Sequence, residues 1–176
     1  MALITKHGMD RITRRVVKAV RAKAEECEVQ EGVVAIGYCN EDGKDCFRGL
    51  LKGEDCMRVF SLKMDDAFTE SLESEEEDPE NFGNALRKVG MAAKVYAKTS
   101  GHELTSCHPN IGINDAGCVV FPIVFNFIPF GKIYVSVSGM SKEYNELCAW
   151  EAYDSIVESL GICDTSNPGP KYYNKK

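Results

Sequence analysis

Cys118-Val119-Val120-Phe121-Pro122-Ile123-Val124-Phe125-Asn126-Phe127-Ile128 is the most hydrophobic run of the chain. Pro129-Phe130-Gly131 interrupts it. Lys132-Ile133-Tyr134-Val135-Ser136-Val137-Ser138 then alternates Ile133, Val135 and Val137 with Tyr134, Ser136 and Ser138. A β-rich apolar run, a break and a period-two run together predict a β-hairpin. Pro122 has no N–H to give to a ladder, so its strand is expected at an edge or beside a bulge.

Outward from the hairpin, Ser141 precedes a helical pattern with Glu143 in its first turn, a stripe of Cys148, Ala152, Ile156 and Leu160, and Gly161 at its end. Upstream, Phe82, Leu86, Val89, Ala93 and Tyr96 form another helical stripe, with Gly90, Ala92 and Ala93 keeping one side slim enough for close approach to a sheet. Gly101 is placed to end that helix. Before it, Glu70-Ser71-Leu72-Glu73-Ser74-Glu75-Glu76-Glu77-Asp78-Pro79-Glu80 carries too little apolar surface to join a core and reads as a mobile acidic loop.

Val33 to Cys39 is apolar on both alternating faces, so both faces of its strand are expected to be covered. Asn40-Glu41-Asp42-Gly43 supplies a turn, Lys44 to Leu51 a returning strand, and Met57 to Leu62 a third short one. The first helix spans Met9 to Cys27 on Met9, Ile12, Val16, Val20 and Ala24, with Asp10 near its positive end. Arg11, Arg14, Arg15, Lys18 and Arg21 load its other face and read as a solvated surface. The order of helix, strands, acidic loop, helix, hairpin, helix predicts an α+β fold on an antiparallel sheet.

The chain has 176 residues, 44% hydrophobic and 27% charged, with a net charge of −6. These values suit one globular domain over residues 1–163, with an acidic insertion near 65–80 and a flexible tail over 164–176. The negative charge argues against nucleic acid as a partner. No apolar run approaches the roughly 20 residues that span a bilayer, and the N-terminal residues make a poor secretory signal. A cytoplasmic location with mostly free thiols is therefore expected for the eight cysteines.

Three segments carry a family resemblance: Phe121-Pro122-Ile123-Val124, then Gly131-Lys132-Ile133-Tyr134-Val135-Ser136-Val137-Ser138-Gly139, then Asn145-Glu146-Leu147-Cys148-Ala149. Ala85-Leu86-Arg87-Lys88-Val89-Gly90-Met91-Ala92-Ala93 adds a fourth, weaker one. Together they resemble the GlcG/HbpS-like, or haem-degrading domain, family. Ala116-Gly117, Tyr134 and Asn145 depart from the family's usual glycine pair, glycine and acidic residue. The resemblance implies a profilin-like, five-stranded antiparallel sheet flanked by helices. It also implies a homo-oligomer, a dimer or larger, holding a small ligand such as haem.

His102, Cys107 and His108 are the expected cofactor-binding residues, because imidazole and thiolate suit axial haem ligation. His7 is a weaker alternative near the first helix. No set of residues has the spacing of a metal site, and the Glu70, Glu73 and Glu76 pairs need no explanation beyond their acidic run. Ser136, Ser138 and Cys148 read as structural, although a helix start would lower the pKa of Cys148. The alternative function is an enzyme acting on a small, acidic metabolite. In that reading Arg87, Lys88 and Lys94 hold a carboxylate and His102 or His108 moves a proton.

Overall fold

A computed structural model describes residues 6–40, 57–62, 79–98, 117–125 and 128–160. These form α1 (Lys6–Glu26), β1 (Val33–Asn40), β2 (Met57–Ser61), α2 (Pro79–Lys98), β3 (Cys118–Phe125), β4 (Ile128–Ser138) and α3 (Lys142–Leu160). The strands make one antiparallel sheet in the order β2-β1-β4-β3. Four strands lie among the described residues. The strand expected over 44–51 falls outside them, and the described sheet has four strands rather than five.

The hairpin forms as the alternation requires, with one difference. Residues 129–131 do not break the second strand; β4 begins at Ile128 and pairs with β3 through Phe125. The irregularity is taken up across the ladder as a shift in register between Ile123 and Val124. It lies beside Pro122, and β3 is at the edge of the described sheet. A residue that cannot donate is thus accommodated where pairing is already imperfect.

Period-two alternation sends Val34, Ile36, Tyr38, Phe60, Val119, Phe121, Ile133, Val135 and Val137 to one face. There they meet Met9, Ile12, Val16, Val17, Val20 and Ala24 of α1, and Cys148, Ala149, Ala152, Tyr153 and Ile156 of α3. The Tyr153 ring lies 5.4 Å from those of both Phe121 and Trp150, in tilted and edge-on geometry. Burying a dozen or more such side chains, each contributing roughly 1.5–3 kcal/mol, makes this layer the principal core. The opposite face carries Val33, Ala35 and Val59 and is covered by Phe82, Ala85 and Leu86 of α2. Both faces of β1 are therefore buried within a single chain.

Two helix details differ from the sequence reading. Because α1 already includes Lys6, Asp10 lies beyond the first turn; its carboxylate instead accepts from Arg58 at 2.8 Å. Gly90 faces open space, so close approach of α2 to the sheet is made at buried Ala85 instead. α1 ends in a Schellman motif: Val29 N–H donates to Ala24 and Glu28 N–H to Glu25, with Glu28 at φ 57°. No helix of the described residues is long and apolar enough to cross a membrane.

Candidate functional site

The α2 face of the sheet is less apolar than the other because β4 presents Ser136 and Ser138 there. Ser136 pairs with Ala35 and Cys118, and Ser138 with Val33. Ser136 Oγ donates to the Ala85 carbonyl at 2.6 Å. In return, Lys88 Nζ donates to the Val137 carbonyl at 2.7 Å. Sheet and helix are thus joined by two side-chain-to-backbone bonds of opposite direction. They hold Lys88 in a buried position, only 3% exposed.

Past Ser138 the chain needs a residue with positive φ, and Gly139 adopts +93°. A Cβ there would lie 3.1 Å from Gly32 Cα and 3.2 Å from Asn81 Nδ2. Glycine at this point lets the first turns of α2 approach the strand end closely. Met140 follows, and Ser141 then caps α3: its hydroxyl accepts from Tyr144 N–H at 3.3 Å and its carbonyl from Asn145 N–H at 2.8 Å.

Asn145 is held from two sides. Its Nδ2 donates to the Met140 carbonyl at 3.2 Å, which fixes the amide orientation and leaves Oδ1 as the second amide atom to satisfy. Gly117, at φ +99°, packs so closely that a Cβ would lie 2.7 Å from Asn145 Cβ. Gly117 N–H donates to the buried Glu146 carboxylate at 3.0 Å, and its carbonyl accepts from Val137 N–H at 2.7 Å. The segment before β3 is thereby tied to both β4 and α3.

These elements enclose a cleft of about 350 Å³ lined by Asn81, Asn84, Lys88, Ser138, Gly139, Met140 and Asn145. Ser138 is 2% exposed and Asn145 8%. Ser138 Oγ and Asn145 Oδ1 are both buried without a hydrogen-bond partner among the described residues. A buried, unsatisfied polar atom costs roughly 1–3 kcal/mol, and two on one wall beside a buried ammonium are a specific arrangement for contacting a polar guest.

The residues expected from sequence are placed unequally. His102, Cys107 and His108 lie outside the described residues, as do Glu70, Glu73, Glu76 and the rest of the expected acidic loop up to residue 78, whereas Pro79 and Glu80 belong to α2 rather than to a loop. Of the three basic residues of α2 expected to hold a carboxylate, Lys88 lines the cleft and Arg87 is exposed, while the Lys94 side chain is not among those described. Cys148 corrects an expectation. It lies beyond the first turn of α3 and in the core, and burial pushes its thiol up to about 12. Burial likewise raises Cys118 to about 12, with Lys88 lowering and Glu146 raising it more weakly. Cys27, Cys118 and Cys148 are free thiols. No group of three or more His, Cys, Asp or Glu among the described residues could hold a metal ion.

Asn81, Asn84, Gly139 and Met140 were not legible as site residues. The available signal was positional: a Ser-Gly at a strand end followed by a capped helix carrying Asn145 in its opening turns. Such junctions collect backbone ends and polar side chains at one edge of a sheet.

No family model and no curated protein matches the chain. Among solved structures it is similar to a crystal structure of Klebsiella pneumoniae protein ORFY, described under the family model DUF336. That similarity has 22% identity over 83% of this chain and 88% of that one, with a TM-score of 0.43. A likeness of this depth assigns neither ligand nor activity to the chain.

Proposed function

We propose that this chain is a small-ligand-binding protein whose site is the cleft between α2, the end of β4 and the start of α3. The observation that carries this reading is the pair of buried, unpartnered atoms, Ser138 Oγ and Asn145 Oδ1, on the same wall as buried Lys88. The volume of about 350 Å³ is at the small end of the range for ligand sites. The lining is almost wholly polar, so hydrogen bonds rather than apolar area supply most of the recognition.

Native mass spectrometry of freshly purified protein tests the proposal. Expected is a retained small molecule that is lost in Lys88→Met while the fold is kept. An empty protein whose thermal midpoint responds to no small polar metabolite would refute it. The same spectrum reads the stoichiometry, for which the family resemblance implies a dimer or larger. Adding hemin tests the planar-ligand expectation separately: a Soret band that survives Lys88→Met and is lost on replacing His102, Cys107 and His108 would assign haem to a second site.

A further inference from the structure

We infer that the exposed face of α1 is an interface between two copies of this chain, where it docks the acidic run Glu75-Glu76-Glu77-Asp78 of the second copy. Arg11, Arg14, Arg15 and Lys18 are all exposed and fall within roughly 100° of arc over two turns of the helix. None of them enters an ion pair among the described residues: Asp10 is taken by Arg58, Glu25 by Arg21 and Glu26 by Lys23. Arg11 with Arg15, and Arg14 with Lys18, are like-charged i,i+4 neighbours, so the face repels itself and weakens the helix that bears it. Core packing does not require it, because the apolar stripe of α1 is on the other side. A contact with carboxylates relieves the repulsion, and the guanidinium fork suits them well.

Geometry favours a second copy over the same chain. Thr13 bonds the Tyr38 hydroxyl and Asp10 bonds Arg58, which places this face at the Tyr38 end of β1, on the α1 side of the sheet. α2 covers the other side, and its start is at the Val33 end, where Asn81 meets Gly139 beside Gly32. Asp78 directly precedes Pro79, and the run back to Glu75 reaches at most roughly 14 Å from that residue. Its own α1 face is roughly 17 Å away along β1 alone, with the sheet and a helix roughly 10 Å across still to pass. In a two-fold dimer each chain gives one face and one run, so the contact closes on itself. The apolar stripe of α1 is spent in the core, which leaves no wedge for a bilayer. The net charge of −6 opposes a long polyanion such as nucleic acid, whereas a short run meets only the local face.

Sedimentation velocity of the full chain across a concentration series tests this. A dimer is expected at about 0.1 M salt and should weaken at about 1 M, as the Debye length falls from roughly 10 Å to roughly 3 Å. Arg14→Glu with Arg15→Glu in one chain, and Glu75→Lys, Glu76→Lys and Glu77→Lys in another, should each weaken association about tenfold or more, because attraction across the contact becomes repulsion. The first pair removes like-charge neighbours at exposed positions of α1, so its urea midpoint should not fall. An equimolar mixture of the two charge-reversed chains should restore the dimer, since each face then meets a run of opposite sign. A monomeric parent, a dimer indifferent to both reversals, or a mixture that fails to associate would overturn the inference. So would a monomeric parent that captures phosphatidylserine vesicles or duplex DNA and loses them with Arg14→Glu and Arg15→Glu, which would assign the face to that polyanion.

Discussion

Gly117→Ala puts the frame of the cleft under a measurable load. At φ +99° an L-residue is strained by roughly 1–2 kcal/mol. The added methyl would lie 2.7 Å from Asn145 Cβ and 2.8 Å from the Val137 carbonyl oxygen, neither of which is the end of a flexible side chain. Overpacking of that kind costs roughly 1–3 kcal/mol, so the total is about 2–5 kcal/mol. Urea unfolding at equilibrium reads this as a midpoint lowered by roughly 1–3 M, given ordinary slopes for a small domain. Gly90→Ala is the internal control: Gly90 is exposed in the interior of α2 with nothing within 4 Å, so alanine should stabilise by about 0.5–1 kcal/mol. The two substitutions have the same chemistry and opposite expected signs. A Gly117→Ala protein within about 0.5 kcal/mol of the parent would refute the packing of Gly117 against α3.

Further outcomes follow from the same geometry. Glu28→Gly should raise stability by about 0.5–1 kcal/mol, because exposed Glu28 holds the positive-φ position of the α1 cap; a loss in the urea midpoint would contradict the Schellman geometry. Lys88→Met should cost roughly 1–3 kcal/mol by leaving the Val137 carbonyl without its side-chain donor, and should lose the small molecule retained by the parent; unchanged retention would contradict the role given to Lys88. Cys118 and Cys148 should destabilise the fold in alkali. Each thiol is raised from 9.0 to about 12, so above pH 9 the unfolded chain releases protons that the folded chain keeps, and stability falls as pH rises toward 12. The slope is at most about 1.4 kcal/mol per pH unit per thiol, and a flat urea midpoint between about pH 8 and about pH 10.5 would contradict the burial of both.

Periodicity carried most of the fold. Met9, Ile12, Val16, Val20 and Ala24 all reach the core on one face of α1, and Ile133, Val135 and Val137 do so on one face of β4, because a repeat fixes which side chains point the same way. Pro122 announced an edge strand through a missing donor. The path of residues 129–131 was harder to read: Pro129 looks like a breaker, yet it continues a strand beside a register shift. Lys88 was grouped with Arg87 and Lys94 as an anion-holding residue, but nothing local marks it as the buried one of the three. Its burial follows from Val137 and Ser136, about fifty residues away in sequence, which tie α2 to the sheet. The same holds for the cleft. Asn81, Ser138 and Asn145 belong to three elements, and only the two positive-φ glycines and the α3 cap bring them together.

The most direct test of the cleft is an amide chemical-shift map of the ¹⁵N-labelled chain titrated with the small molecule that native mass spectrometry finds retained. Saturable shifts are expected at Asn81, Lys88, Ser138, Gly139 and Asn145, the residues that the cleft brings together from α2, the end of β4 and α3. Shifts that saturate while clustering on the α1 face, or that leave Ser138, Gly139 and Asn145 unmoved, would contradict it.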